Sequence, residues 1–270
     1  MRKQQNKGDV KGDFIKFLGT GGARVVVSKQ IRSSAGNWLY LSGVNLFLDP
    51  GPGALVKCWS SRPALDPATL EAIVLSHRHL DHSGDMNALT EAMTEAGFKK
   101  RGLVFLPLDA LNKEPVLFGY LRNVVEGVEL LEPGKSYKIG DLVFTTPVGH
   151  LHPVETYGFV FHLPWGKIAW ITDTLFFPEL IDYYQGDLLI LNVPRLEGGG
   201  PPHIQHLCLA DAELLIREIK PRAAILTHFG MTMLRARPWE LAAQLSDRTG
   251  VKVIAARDGM TVSLPEVLEE

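Results

Sequence analysis

This 270-residue chain contains the stretch Ser76-His77-Arg78-His79-Leu80-Asp81-His82-Ser83-Gly84-Asp85, in which three histidines and an aspartate fall within six positions. We call this stretch the metal turn. It directly follows a short apolar run, so it lies where a buried strand is predicted to end. Imidazole and carboxylate groups are ligands that Zn²⁺ and similar ions bind at about 2.0 to 2.2 Å. Because four such groups in one turn cannot all face one ion, we expect two neighbouring ions, with His77 and His79 on one and Asp81 and His82 on the other.

Three further ligand side chains follow other apolar runs of the chain, namely His152, Asp173 and His228. Open sheets place their functional groups beyond the carboxyl ends of strands, so these residues and the metal turn should meet at one edge. Two ions about 3.5 to 4 Å apart are a recurrent device of hydrolytic enzymes. The pattern therefore predicts a dinuclear hydrolytic site.

Short apolar runs, many of them rich in β-branched residues, recur along the chain and predict strands. They lie at 14–18, 38–41, 45–48, 72–75, 103–106, 142–146, 158–162, 167–172, 188–191, 223–227 and 252–255. Segments with helical spacing lie at 84–96, 209–220 and 239–249, and proline or glycine marks the ends of the last two. This mixture predicts an α/β chain in which helices cover the outer faces of sheets.

The composition is that of a globular enzyme, with 46% hydrophobic and 21% charged residues. A net charge of -2 gives the chain as a whole no electrostatic footprint for nucleic acid or an anionic membrane. The polar first residues are not followed by the apolar stretch of an export signal, which predicts a cytoplasmic protein without membrane contact. The two cysteines, Cys58 and Cys208, exclude a disulfide framework and are expected to be buried thiols.

The chain contains no linker long enough to divide it into domains. We expect a flexible N-terminus over residues 1–12 and a single domain over 13–270. Residues 98–135 are predicted to be an apolar insertion that forms a lid or a homodimer contact. Its apolar residues include Leu108, Leu111, Phe118 and Tyr120.

At these motifs the chain resembles the metallo-β-lactamase superfamily. Phe47-Leu-Asp-Pro-Gly-Pro-Gly looks like the first motif of that family, the metal turn like the second, and the three later ligands like the third to fifth. The resemblance runs from Phe17-Leu-Gly-Thr-Gly-Gly-Ala to Leu226-Thr-His-Phe-Gly. It implies a four-layer αββα sandwich, in which two mixed β-sheets are flanked by helices.

The resemblance also implies a role for each ligand. His77, His79 and His152 would hold one ion, Asp81, His82 and His228 the other, Asp173 would bridge both, and Asp49 would support the metal turn without touching the ions. His150 competes with His152 for the third motif. We prefer His152 because His152-Pro-Val-Glu-Thr-Tyr-Gly-Phe resembles the family pattern of a ligand His followed by a Gly-aromatic strand.

The resemblance implies hydrolysis through a metal-bridging hydroxide that Asp81 orients. The stretch from His206 to His228 is similar to the phosphodiesterase branch, which includes ribonuclease Z and the cyclic phosphodiesterases. In that branch a His before the helix contacts the phosphate or protonates the leaving oxygen, a role open to His206 because imidazole titrates near neutral pH. The alternative is that His206 only caps the helix.

The glycine loop after the first strand also resembles this branch. Gly21, Gly22, Arg32 and Ser33 could cradle an anion there, whereas a solvated charged face is the ordinary explanation for such residues. We find no basic arm of the kind by which ribonuclease Z grips its substrate. A small phosphodiester is therefore favoured over RNA.

Two other functions remain open at this point. A lactone, thioester or other carbonyl hydrolase would need every metal ligand but not His206. A nucleic-acid-binding or scaffold protein would keep the metals for stability. The ligand types suit Zn²⁺ and also Mn²⁺, Fe²⁺ or Ni²⁺.

Overall fold

The computed structural model describes residues 12–112, 114–199 and 204–269. The strands in these ranges are β1 Phe14–Phe17, β2 Asn37–Leu41, β3 Val44–Leu48, β4 Ala72–Val74, β5 Leu103–Leu106, β6 Gly127–Leu130, β7 Lys135–Ile139, β8 Leu142–Thr146, β9 Phe159–Leu163, β10 Gly166–Ile171, β11 Leu188–Asn192, β12 Ala223–Thr227, β13 Lys252–Ala255 and β14 Met260–Ser263. The helices are α1 Arg24–Ser28, α2 Ala54–Ser60, α3 Leu80–Ser83, α4 Met86–Met93, α5 Leu180–Tyr183, α6 Leu209–Ile219, α7 Met231–Arg235, α8 Pro238–Thr249 and α9 Leu264–Glu269. Short 3₁₀ turns lie at Pro67–Thr69, Leu108–Leu111 and Leu121–Asn123.

The strands form two mixed sheets with the same plan. The first has the order β14-β1-β2-β3-β4-β5-β6 and the second β13-β12-β11-β10-β9-β8-β7. In each sheet, consecutive antiparallel strands are followed along the chain by parallel ones, β3 to β6 in the first and β10 to β13 in the second. The carboxyl ends of the parallel strands therefore lie together at one edge of each sheet.

Three apolar clusters define four layers. One cluster lies between the two sheets, a second packs the helices α5, α6 and α8 on the second sheet, and a third packs α2 and α4 on the first. Strand alternation explains this division, because Leu188 and Ile190 of β11 enter the central cluster while Leu189 and Leu191 enter the outer one. The predicted sandwich of two mixed sheets flanked by helices is confirmed.

Each strand predicted from an apolar run occurs within about one residue of its expected bounds. The strands β6, β7 and β14 were not predicted. The run Lys135-Ser-Tyr-Lys-Ile is largely polar, and only Tyr137 and Ile139 of this strand are buried. A strand at the edge of a sheet needs few apolar residues, so its sequence carries little signal.

The prediction that residues 98–135 form an insertion is wrong, because two of its stretches are strands of the first sheet. β5 pairs with β4 and β6 pairs with β5. The segment between them packs Leu117 and Leu121 into the outer cluster of the first sheet while Phe118 and Tyr120 are exposed. A lid or homodimer role for that segment stays a prediction.

The predicted flexible N-terminus, apart from Gly12, lies outside the described residues. The proposed extent of the domain, 13–270, likewise stays a prediction. Among the helices described, each is too short or too polar to cross a bilayer.

Candidate active site

The metal turn leaves β4 and closes into the single helical turn α3. His79 directly precedes this helix, Asp81 lies in its first turn and His82 in its last. The Ser83 hydroxyl donates to the carbonyl oxygens of Arg78 and His79, both at 3.0 Å. These hydrogen bonds fix a tight turn in which the ligand side chains face inward.

A first ligand group consists of three histidines. The Nδ1 atom of His79 lies 3.1 Å from Nε2 of His77 and 3.1 Å from Nε2 of His152. The Nδ1 atom of His152 donates to the carbonyl oxygen of Gln205 at 3.0 Å, and Nδ1 of His77 lies 3.0 Å from the hydroxyl of Ser76. These outer contacts leave one nitrogen of each ring facing a common point, as a metal ion requires.

A second group consists of Asp81, His82 and His228. The Oδ2 atom of Asp81 lies 3.9 Å from Nε2 of His82 and 3.8 Å from Nε2 of His228. Both of these nitrogens are buried without a hydrogen-bond partner. Buried polar atoms are ordinarily paired, so their orientation towards one point calls for a ligand.

Asp173 stands between the two groups. Its Oδ2 atom lies 3.8 Å from Nε2 of His77, 3.4 Å from Nε2 of His82 and 3.3 Å from Nε2 of His228. Its Oδ1 atom accepts a hydrogen bond from Nδ2 of Asn192 at 2.9 Å. Asn192 thus holds the carboxylate with one oxygen turned towards both groups, the position that a bridging ligand needs.

Asp49 supports the metal turn from behind. Its carboxylate accepts hydrogen bonds from the Ser76 amide at 2.7 Å, from the Ser76 hydroxyl at 2.8 Å and from Nδ1 of His82 at 2.9 Å. Asp49 and His228 both have positive φ, at 56° and 60°. Such backbone is rare outside glycine and is concentrated at functional sites, where the surrounding structure holds it.

The clustered charges shift the pKa values of the metal-free site in opposite directions. Burial, and then the charge of His82, lowers the pKa of His77 well below its usual value. Burial opposes the charge on His82, yet Asp49 and Asp173 raise its pKa well above the usual value. Burial likewise opposes ionisation of Asp173, but the imidazoles around it hold its pKa well below the usual value. His82 and Asp173 thus each favour the charged form of the other.

The structure separates the two candidates for the third motif. His152 faces the first group, whereas His150 is turned away and buried. The Nδ1 atom of His150 donates to the backbone oxygen of Asp173 at 3.2 Å, and its Nε2 accepts a hydrogen bond from the hydroxyl of Tyr184 at 2.6 Å. Both nitrogens of His150 are engaged, so His152 is the one of the pair that can bind an ion here.

His206 lies beside Asp173 and His152. Its Nδ1 atom is buried without a hydrogen-bond partner, 3.6 Å from Oδ2 of Asp173, and its ring centre is 5.2 Å from that of His152. The residue that caps α6 is Cys208, whose amide is bound by Asp211 at 2.9 Å. The capping alternative for His206 is therefore wrong.

The residues expected to cradle an anion have partners within the protein. The Gly21 amide donates to Ser33 O at 2.8 Å, and the Gly22 amide donates to Phe229 O at 3.1 Å. The Ser33 amide donates to Asp258 Oδ2 at 2.8 Å. The guanidinium of Arg32 donates to Thr20 Oγ1 at 2.8 Å and Ala256 O at 3.1 Å. These contacts give the residues a structural role, and their contact with an anion stays a prediction.

Three residues beside the ligands were not singled out from the sequence as supports. Ser76 and Asn192 orient Asp49 and Asp173, and Gly22 leaves room for His228. A Cβ atom at Gly22 would lie 2.2 Å from Cδ2 of His228. A polar residue at the end of the otherwise apolar run 188–192 was the available signal for Asn192.

A four-layer sandwich with a His and Asp cluster at the strand ends is the architecture of the metallo-β-lactamase fold. The chain belongs to the β-lactamase superfamily, because residues 44–229 match the family profile described as the Beta-lactamase superfamily domain. A curated relative, the uncharacterized protein MJ1374 of Methanocaldococcus jannaschii, is 33% identical over 260 residues, covering 93% of this chain and 94% of the relative.

Solved structures share the fold at low sequence identity. The metallo-β-lactamase fold protein YhfI from Bacillus subtilis has a TM-score of 0.76 at 17% identity, over 93% of this chain and 98% of that one. A diphosphatase from the PhnP family has a TM-score of 0.68 at 19% identity, over 93% and 97%. The short form of human tRNase Z has a TM-score of 0.68 at 17% identity, over 93% and 99%.

This fold family implies divalent metal binding, and the donor atoms of the site fit it. The ligand atoms of each of three triads lie within 4.8 Å of one another, namely His77, His79 and His152; His77, His82 and Asp173; and Asp81, His82 and His228. The unpartnered nitrogens of His82 and His228 are those that bound ions would satisfy.

Proposed function

We propose that this protein is a dinuclear metal phosphodiesterase that hydrolyses a small or cyclic phosphodiester. The observation that carries the proposal is the single oxygen of Asp173 that faces both ligand groups, 3.8 Å from His77 Nε2 and 3.3 Å from His228 Nε2. A shared carboxylate oxygen suits a pair of ions. The first and second ligand groups would each hold one ion, with Asp173 between them.

Imidazole and carboxylate ligands favour Zn²⁺ and also accept Mn²⁺, Fe²⁺ or Ni²⁺. When bound, such ions supply Lewis acidity to phosphoryl oxygens and make water a nucleophile at neutral pH. Asp49 fixes the ring of His82 by accepting its Nδ1–H, and Asn192 fixes Asp173 by donating its Nδ2–H to Oδ1. Asp81 presents a carboxylate that can accept a hydrogen bond from the attacking water and so orient it.

His206 is the residue that favours a phosphodiester substrate over a carbonyl substrate. Its unpartnered Nδ1 is 3.6 Å from Asp173 Oδ2, which places the ring within reach of a group bound at the centre. There the imidazole contacts the phosphate or donates a proton to the leaving oxygen. Two of the similar structures are named as a diphosphatase and a tRNase Z, which supports phosphorus over carbonyl substrates. A small-molecule substrate and a cytoplasmic location are part of the proposal.

The test uses metal-stripped protein reconstituted with Zn²⁺ or Mn²⁺ and assayed on bis(4-nitrophenyl) phosphate and on diphenyl phosphate. His206→Ala should lower turnover at least tenfold without changing the metal content, since a positioned acid contributes about 10²- to 10⁴-fold. His162→Ala, a histidine on β9, is the matched control and should leave turnover unchanged.

The two substrates separate the two roles of His206. A proton donor matters more for the poorer leaving group, so the loss should be larger on diphenyl phosphate, whereas a phosphate contact lowers both rates equally. Absence of turnover with either metal, despite two ions per chain, contradicts the proposal. Lactones and thioesters would then be the substrates to assay.

A further inference from the structure

Three exposed leucines stand beside the ligands. Leu80 is 71% exposed, Leu151 48% and Leu175 40%. Leu80 separates two ligands of the metal turn, Leu151 directly precedes His152, and Leu175 is two residues beyond Asp173. An exposed apolar side chain beside a cluster of buried polar groups is placed to contact an apolar part of a ligand held by those groups.

The three leucines lie on loops that meet at the ligand groups. The amide of Leu175 donates to the carbonyl oxygen of Leu151 at 2.9 Å, and the amide of Leu151 donates to Thr174 Oγ1 at 3.1 Å, so the two loops are joined. The third leucine follows His79, whose Nδ1 lies 3.1 Å from Nε2 of His152. Neighbouring Cα atoms are about 3.8 Å apart, so each leucine starts one or two residues from the metal centre. We call Leu80, Leu151 and Leu175 the leucine rim.

The loops that carry the leucine rim offer little positive charge. Within residues 76–84, 148–157 and 172–178, Arg78 is the one Lys or Arg. Its guanidinium is already engaged, with Nε 3.2 Å from Asp109 Oδ2 and Nη1 3.3 Å from Glu114 Oε2. A polyanion would therefore meet leucines and a neutralised arginine there, which gives it no counter-charge beyond the metal ions.

We propose that the substrate is a phosphodiester monoanion whose non-leaving group is uncharged and apolar, an aryl or branched alkyl group that packs on the leucine rim. This inference rests on the proposed function and names its substrate class. Apolar walls around a few polar groups are the usual form of a small-molecule site, in which the polar groups take the reacting atoms and the walls select the substituent.

Binding tests the inference independently of turnover. Calorimetry on the zinc-loaded full chain compares diphenylphosphinate with dimethylphosphinate, two monoanions without a cleavable ester bond. If binding buries roughly 60 Å² more apolar surface of the diphenyl compound than of the dimethyl compound, its affinity should be about tenfold higher. Leu151→Ser and Leu175→Ser should each reduce this preference about threefold.

Phe98→Ser is the matched control, because Phe98 is 90% exposed and precedes β5, at the end of the first sheet opposite the site. It should leave the preference unchanged. Equal affinity for the two phosphinates, or a preference that both leucine variants retain, overturns the inference. The inference is also overturned if a short RNA displaces diphenylphosphinate at a concentration below the dissociation constant of the phosphinate.

Hydrolysis of phenyl and methyl 4-nitrophenyl phosphate, which share a leaving group, separates this inference from the proposed function. Turnover with no preference between the two non-leaving groups overturns the apolar selectivity alone. Selective phosphinate binding without any phosphodiester turnover overturns the proposed function, and with it the phosphodiester part of the inference.

Discussion

Replacing Gly22 with alanine should dislodge a metal ligand without touching any ligand residue. A Cβ atom at this position would lie 2.2 Å from Cδ2 and 2.3 Å from Nε2 of His228. Carbon atoms in contact are about 3.5 to 4.0 Å apart, so the imidazole or the glycine loop must retreat by more than about 1 Å. The loop cannot move freely, because the Gly22 amide donates to Phe229 O at 3.1 Å, directly beside the ligand.

A displacement of this size exceeds what metal coordination tolerates, since ligand distances hold to within about 0.2 Å. We therefore expect Gly22→Ala to bind the ion of the second ligand group weakly and to lose about 10²-fold in turnover, the usual effect of an error of about 1 Å. Metal per chain is measured by elemental analysis after gel filtration, beside the hydrolysis rate. Gly119→Ala is the control, because no atom lies within 4 Å of its Cβ position. Two tightly bound ions and nearly full activity in Gly22→Ala would refute the reasoning.

Three further predictions follow from buried groups. Asp49→Ala removes the acceptor of three hydrogen bonds behind the metal turn and should weaken metal affinity about 10- to 100-fold in a chelator competition, whereas unchanged affinity would contradict the role assigned to it. Burial lowers the pKa of His150 to about 4. Between its unfolded pKa near 6.5 and this value, the unfolded chain binds a proton that the folded chain does not, so the free energy of unfolding decreases as the pH is lowered. The loss amounts to about 2 kcal/mol at pH 5. Urea unfolding of metal-free protein at pH 7 and pH 5 measures it, and the His150→Asn variant should lack this part of the pH dependence. Burial, and then Asp85, raises the pKa of the Cys58 thiol to about 12, so iodoacetamide should label Cys58 at pH 8 only after unfolding; rapid labelling of the native chain would show that the thiol is accessible.

The fold was predictable where burial forces a simple pattern. The strands β11 and β12 are buried on both faces, so they appear in sequence as continuous apolar runs. The strand β7 is exposed on one face and carries lysines, and β6 is four residues long with no fully buried side chain. Residues 98–135 were misjudged for the same reason, because the strands that anchor this segment in the sheet are short and one of them carries no strong apolar signal.

The site was predictable where its residues are neighbours in sequence or follow apolar strands. The metal turn and the residues after β10 and β12 satisfy that condition. The preference for His152 over His150 came from a local resemblance, whereas the hydrogen bond from Tyr184 that engages His150 joins residues 34 apart in sequence and needs the folded structure. The role of Gly22 depends on a contact with His228 across the chain, so it too needs the folded structure.

The distribution of strain explains how one chain supports both a stable fold and this site. Several destabilising features lie at the site, namely the positive φ of Asp49 and His228 and the unpartnered nitrogens of His82 and His228. The central cluster between the sheets contains none of them and is built from buried aliphatic and aromatic side chains of both sheets. Metal ions that bind only the folded state stabilise it by mass action. Metal binding therefore offsets the free energy cost of the strained backbone and the unpartnered nitrogens at the site. The leucine rim lies on loops beside the site and outside all three clusters, so a change in its side chains leaves the members of those clusters in place.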